Sequence, residues 1–334
     1  MRHRRLGTAG PLVRPLGLGC MGMSGTYGPA DRAASIATIH AALEQGPTLI
    51  DTGDFYGMGH NEMLIGEALR GHDRDRAVIS VKFGALRDAA GAWSGYDLRP
   101  RAMKNFLAYT LRRLGVDHID ICRPARLDPD VPIEETVGAI ADAIAAGWVR
   151  HIGLSEIGAA TLRRAAAVHP ICDLQIEYSL FSRGIEDAIL PACRELGIGV
   201  TAYGVLARGM LGGTWPTAAM TQGDIRAHSP RYQAAHVAHN LALVEALRAI
   251  ATMRGMSVAQ LAVAWVAAQG DDILPLIGTQ RPERWTEALG ALASPLSSED
   301  LAMIERAVPK GAASGDRYPA AQMAHLDSEQ GAHR

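Results

Sequence analysis

Ala77-Val78-Ile79-Ser80-Val81-Lys82 places apolar side chains on both faces of a strand and a cation at its end. A half-exposed antiparallel strand alternates apolar and polar residues. A run like this one instead belongs in a parallel sheet whose two faces are covered by helices. Seven further runs have the same character: Pro15 to Cys20, Thr48 to Asp51, His118 to Cys122, His151 to Ser155, Ile171 to Gln175, Gly199 to Tyr203 and Asp272 to Ile277. Between these eight lie segments of helical period near 31–45, 61–70, 99–114, 132–146, 158–168, 186–196, 236–254 and 282–291. Asn61 and Ser257 read as N-caps, Pro132 stands ahead of Glu134-Glu135 in a first turn, and Pro282 opens the last of the helices.

Eight βα units in succession, with no Ser/Pro-rich linker and no shift in composition midway, predict an α/β chain closed as a (β/α)8 TIM barrel rather than two doubly wound domains. Residues 1–334 read as a single domain. The barrel spans about 15–291, a Gly/Pro-rich entry is expected as an N-terminal β-hairpin, and long loops stand at the C-terminal face. The insertion at 212–235 and the tail from about 308 to 334 are rich in small residues and weakly periodic, as flexible coverings of a site would be.

Hydrophobic residues make up 48% of the 334 and charged residues 20%, which excludes disorder and supplies a large core. With 33 basic against 35 acidic side chains the net charge is -2, so nothing draws the chain generally to nucleic acid or an anionic membrane. Cys20, Cys122, Cys172 and Cys193 stand far apart without metal-ligand spacing, so they read as reduced thiols of a cytoplasmic protein with no bound metal. Gly7 and Gly10 interrupt the start before a signal-like apolar run develops, and runs such as Leu261 to Ala268 fall short of the roughly 20 residues that span a bilayer. A soluble protein is expected.

Gly17-Leu18-Gly19-Cys20-Met21-Gly22 matches GxGxxG literally. The third glycine of a dinucleotide fingerprint should open a helix, yet Ser24-Gly25-Thr26-Tyr27-Gly28-Pro29 intervenes here, so the motif reads as a first barrel strand turning into a loop.

Barrel chemistry sits at the C-terminal strand ends. The second strand ends in Asp51, followed by Thr52-Gly53-Asp54-Phe55-Tyr56-Gly57, and the third ends in Lys82. A cation at the end of an apolar run needs a partner, and Asp51 on the neighbouring strand supplies it. Tyr56, five residues beyond Asp51 on the rim, can reach Lys82, and an ammonium beside a phenol stabilises the phenolate. The three together read either as a proton-donating site or as a structural ion pair beside a packed tyrosine.

Asp51-Thr52-Gly53-Asp54-Phe55-Tyr56-Gly57 with Asn61-Glu62 and Lys82 resembles the aldo-keto reductase signature, in the branch related to the potassium-channel β subunits. Gly153-Leu154-Ser155-Glu156, Leu174-Gln175, Ala202-Tyr203-Gly204 and Pro275-Leu276-Ile277-Gly278-Thr279-Gln280-Arg281 extend the likeness over almost the whole chain. The resemblance implies NADP(H) at the barrel mouth and reduction of a small-molecule carbonyl to an alcohol. Tyr56 would be the proton donor, Lys82 would tune it and Asp51 would hold Lys82. It implies hydrogen bonds of Ser155 and Gln175 to the carboxamide, with Glu156 at a cofactor-binding position where many members carry Asn, Tyr203 stacked on the nicotinamide, and Met21 near its ribose. Leu206 and Arg208 would lie along the pyrophosphate. At the adenosine end stand Gly278, Gln280, Arg281, Arg284, Glu287 and Ala288. Arg281 and Arg284, one helical turn apart, suit a 2′-phosphate and favour NADPH over NADH; Gln280 and Ala288 depart from the usual Lys and Asn.

The largest departure lies at the fourth strand, where Arg123-Pro124-Ala125-Arg126-Leu127-Asp128-Pro129 puts Ala125 at the position of the family's catalytic His. Arg123 reads as a candidate substitute, with Pro124 able to turn it away. Beside carbonyl reduction, the loss leaves room for a nicotinamide-binding redox sensor of slow turnover. A Schiff base on Lys82 is a third chemistry, which the nicotinamide positions disfavour.

Overall fold

In the computed structural model, which describes residues 3–44, 46–213 and 224–330, eight parallel strands close into a barrel in chain order. They are Gly17–Gly19, Thr48–Gly53, Ala77–Phe83, Ile119–Pro124, Val149–Ser155, Ile171–Glu177, Gly199–Tyr203 and Ile273–Gly278. Each falls on one of the eight apolar runs. The ring is sealed where Leu276 and Gly278 of the eighth strand pair with Gly17 and Gly19 of the first. Every residue of the second, third and sixth strands is buried, as two covered faces require.

The period of two along each strand sorts its side chains between the barrel interior and the helices. Leu49, Val78, Ile121, Cys172, Leu274 and Leu276 point inward and join Leu6 and Val13 in one apolar cluster. Leu6 follows and Val13 ends a small hairpin of Arg4–Arg5 and Leu12–Val13, which plugs the N-terminal end as expected. Two residues further along the second, third and fourth strands the interior turns polar, with Asp51, Ser80 and Arg123 buried, and Asp173 joins them next to Cys172, where the sixth strand shifts register. Ile50, Ile79 and Ile152 face the other way, into the large core beneath the helices.

Helices Arg32–Leu43, His60–Ala68, Pro100–Leu114, Ile133–Ala145, Ala159–Val168, Ile189–Glu195, Ala234–Met253 and Pro282–Ala291 occupy the expected segments. Ser257 caps a helix with Gln260 in a reciprocal box. That helix, Val258–Ala268, has no amphipathic period because it is buried almost all round. Nor does Pro282 open the last helix, since Ser297 and Asp300 cap another over Ser298–Ala307. Asn61 is not an N-cap either: Gly59, with φ 95°, takes that place, and the Asn61 side chain turns inward. No single helix among the described residues is long and apolar enough to cross a membrane.

The coverings have more structure than their composition suggests. Within 84–98 a second hairpin, Ala85–Arg87 with Trp93–Tyr96, sets Trp93 edge-on to Phe55. Of the insertion at 212–235, Ile225–His228 and Pro230–Tyr232 form 3-10 turns, while 214–223, with Trp215, lie outside the described residues. The tail is not a loose cover: Arg317 is buried, and Asp327 accepts a bond from the Gly158 amide.

Candidate active site

Asp51 and Lys82 meet at the C-terminal end of the interior, Oδ2 to Nζ at 2.5 Å, both almost wholly buried. In register Lys82 lies opposite Gly53 and Asp51 opposite Ser80, so the pair forms diagonally and leaves Asp51 Oδ1 free for other donors. Ser80 Oγ donates to it at 3.1 Å and Gln175 Nε2 at 2.8 Å. A buried carboxylate so supplied is a fixed anion, and it holds its cation in place. Burial depresses the Lys82 ammonium, with the Arg123 charge acting in the same direction and Asp51 opposing both.

Tyr56 stands at the edge of this pair. Lys82 Nζ lies 5.3 Å from the centre of its ring, and Phe55 packs against it edge-on. The loop that carries Tyr56 is tied down by Asn61, whose side chain bonds Thr52 Oγ1 at 2.7 Å, the Cys20 carbonyl at 2.8 Å and Ser24 Oγ at 2.7 Å. Glu62 on the next turn binds Thr110 and Arg113. The electrostatics differ from the expected tuning by Lys82. Burial first, then the Asp51 charge, push the phenol well above its ordinary value, and the main opposing cation is Arg126.

Arg123 is not free to serve as the substitute donor expected of it. Its side chain, fully buried, points into the barrel and bonds Asp173 Oδ2 at 3.0 Å, Ser80 Oγ at 3.0 Å and the Leu154 carbonyl at 3.3 Å. Thr201 Oγ1 supports Asp173 at 2.5 Å. Gly153 makes room for this pair, because a Cβ there would sit 2.6 Å from Asp173 Oδ1 and 3.0 Å from Arg123 Cζ. Ala125 is buried at the strand end, its amide donating to the Phe83 carbonyl.

Across the mouth the residues expected around a nicotinamide gather on the fifth to seventh strands. Ser155 and Gln175 are buried neighbours in register. Glu156 is engaged on every side: Arg317 at 2.5 and 3.0 Å, the Tyr203 hydroxyl at 2.7 Å, Ser328 Oγ at 2.9 Å and the Glu177 amide at 3.0 Å. Tyr203 also meets the Tyr318 hydroxyl at 2.9 Å. Arg208 lies 4.3 Å from the Tyr318 ring centre and bonds Ser229, while its buried Nη2 has no hydrogen-bond acceptor. Met21, after the first strand, and Leu206, after the seventh, are half-buried. Four non-glycine residues among those described have φ in the left-handed region, and Glu156, Ala207 and Arg208 are three of them. Such conformations concentrate where a site imposes its own geometry.

After the eighth strand, where the adenosine contacts are expected, Gly278 is exposed, and Gln280 Nε2 bonds the Gly22 carbonyl at 2.6 Å, joining the first and last barrel loops. Arg281 is exposed, Arg284 pairs with Glu287 at 2.7 Å, and Glu287 accepts from Ser257 at 2.6 Å. Ala288 faces the core.

Residues 15–309 match the model of the Aldo/keto reductase family. The chain belongs to this family. It is 41% identical over 318 residues to probable aldo-keto reductase 1 of Glycine max, covering 94% of this chain and 91% of that one. A glycerol dehydrogenase from Gluconobacter oxydans is similar in structure with a TM-score of 0.82 at 28% identity, covering 92% of this chain and 96% of the other. An aldo-keto reductase from Klebsiella pneumoniae, solved with NADPH, has a TM-score of 0.73 at 28% identity over 95% and 99% of the two chains.

Three participants at the mouth of this aldo-keto reductase barrel escape the sequence reading: Asp173, Arg231 and Arg317. Asp173 carried a usable signal, a carboxylate set between the apolar Ile171-Cys172 and Leu174 of a barrel strand. Arg231 and Arg317 did not, because each comes from a weakly periodic segment and reaches Glu177 or Glu156 only through the folded chain.

Proposed function

We propose that this aldo-keto reductase is an NADPH-dependent carbonyl reductase of the alcohol dehydrogenase class, with Tyr56 as proton donor and Ala125 in place of the usual His. The observation that carries this reading is the buried set of Tyr56, Lys82 and Asp51, closed by Gln175 and Ser80. The residues present fit a dinucleotide phosphate. Arg208 holds a buried donor without an acceptor, and Arg281 and Arg284 stand at the start of a helix with their cations exposed or half-exposed.

NADPH, when bound, supplies the hydride that reduces the carbonyl carbon. The residues of the chain do the rest. Tyr56 gives its hydroxyl proton to the carbonyl oxygen as that oxygen gains charge, and solvent later restores the proton. Burial keeps the phenol protonated, as a donor must be. Lys82 places a positive charge beside the tyrosinate left behind, and Asp51 keeps that charge fixed. Ser155, Gln175 and Tyr203 are assigned to the nicotinamide, Met21, Leu206 and Arg208 to the ribose and pyrophosphate, and Gly278, Gln280, Arg281, Arg284 and Glu287 to the adenosine end. Glu156 acts through Tyr203 and Arg317, its oxygens being already engaged.

Loss of NADPH absorbance with a panel of aldehydes and ketones tests the assignment. Turnover that disappears in Tyr56→Phe while NADPH still binds supports it. A protein that binds NADPH tightly yet reduces nothing would instead be a redox sensor.

A further inference from the structure

Six cations of the barrel interior and mouth can be compared by their partners. Lys82 pairs with Asp51 and Arg123 with Asp173; Arg208 and Arg231 lie 3.6 and 3.5 Å from Glu177, and Arg317 is bound to Glu156. The sixth is Arg126. No carboxylate of the described residues lies within 4.0 Å of it. Its guanidinium meets only neutral oxygens, the Ala125 carbonyl at 2.6 Å, the Tyr318 hydroxyl at 3.4 Å and Ser155 Oγ at 3.5 Å. A half-buried guanidinium with no counter-ion in contact is an incomplete arrangement, since its charge is desolvated and the carboxylate that acts on it, Glu156, does so only from beyond ion-pair distance and is already held by Arg317.

The place of that charge matters. Arg126 follows Ala125 at the end of the fourth strand, beside Ser155 of the fifth, and its charge opposes that of Asp51, which pushes the Tyr56 phenol up. It is therefore the unpaired cation nearest the reacting end of the site, whereas Arg208, Arg281 and Arg284 belong to the seventh and eighth strands' loops and the helix that follows.

Resting on the reduction reading above, we propose that Arg126 is a substrate-binding residue, and that the carbonyl compound reduced here carries a carboxylate which Arg126 holds. The planar fork of a guanidinium donates to two carboxylate oxygens at once, so one side chain fixes both the position and the orientation of the substrate. The family's imidazole orients the carbonyl by bonding its oxygen. An anchor elsewhere on the substrate meets the same need by holding the carbonyl against Tyr56.

The test compares succinic semialdehyde with its methyl ester, two aldehydes differing in one negative charge. The natural-sequence protein should show a kcat/KM about tenfold or more higher for the acid, the range of one charge-assisted bond. Arg126→Gln should remove that preference mainly by raising KM for the acid, Arg126→Lys should retain part of it, and both should bind NADPH as before. Equal kcat/KM for acid and ester in the unsubstituted protein would overturn the inference without touching the reduction reading. A preference that survives in Arg126→Gln would also overturn it, as would weakened NADPH binding in that variant, which would make Arg126 a cofactor residue. No NADPH oxidation with either aldehyde or any other carbonyl would overturn the reduction reading, and this inference with it.

Discussion

Arg317 grips Glu156 across 161 residues of chain, its two terminal nitrogens lying 2.5 and 3.0 Å from the two carboxylate oxygens. Both side chains are buried, and Glu156 holds its place with φ at 55°. Burial works against the charge on Glu156, but Arg317, through charge and hydrogen bonds, carries the carboxyl down to about 2. Removing one partner of such a pair leaves the other charged and uncompensated. Arg317→Ala should therefore cost about 3–5 kcal/mol of stability at neutral pH, measured by denaturant unfolding. The folded-state value of Glu156 is depressed, so its contribution is full above the ordinary 4.5 and is lost as pH falls toward 2. The gap between variant and parent should close over that window; a gap independent of pH would show that the pair is not its source.

Tyr56→Phe keeps the ring and removes the proton. Carbonyl reduction should fall by a hundredfold or more, roughly what general-acid catalysis contributes, with the Kd for NADPH unchanged within about twofold. Because burial and Asp51 raise the phenol, the parent protein should not lose reductive turnover as pH rises through the neutral range. A steep loss between about pH 7 and 9 would mean that a different acid serves, given the ordinary phenol value near 10.

The double substitution Arg281→Ala, Arg284→Ala addresses the 2′-phosphate. The ratio of NADH to NADPH dissociation constants should shrink about tenfold or more, since each arginine offers one charge-assisted donor. An unchanged ratio, measured by fluorescence titration, would place the phosphate elsewhere.

Asp54 lies buried beside Tyr56, its amide donating to the Lys82 carbonyl. Burial and then the Glu62 charge push its carboxyl up to about 7, against an ordinary 3.8. The folded protein thus holds a proton that the unfolded chain releases, and stability falls as pH rises across that interval. Asp54→Asn should gain on the parent between about pH 4 and 7, by up to about 4 kcal/mol, and level off above. Thermal melts at acid and alkaline pH with the same relative stability would rule this out.

The barrel strands were legible because a strand covered on both faces leaves a local trace, an apolar run. Val258–Ala268 left none of the helical kind, since burial almost all round erases the period that marks a helix. The pairing of Asp51 with Lys82 follows from one rule, that a charge within an apolar run needs an opposite charge nearby. Applied to Asp173, that rule points to Arg123 and against its role as a donor to substrate. Asn61 was legible as a conspicuous polar residue but not in its use, which depends on the first barrel loop lying across it. Arg317 and Tyr318 act only because the tail returns to the mouth, and no short-range pattern encodes that return.

The seam of the barrel also sets an order of events during synthesis. The first strand has its second neighbour only when Ile273–Gly278 has left the ribosome, and until then one edge of the growing sheet presents unpaired backbone groups. The mouth closes later still, when Arg317 emerges to meet Glu156. A nascent chain halted between these two moments holds Asp51, Tyr56 and Lys82 in place but lacks the cation that pairs with Glu156 across the mouth.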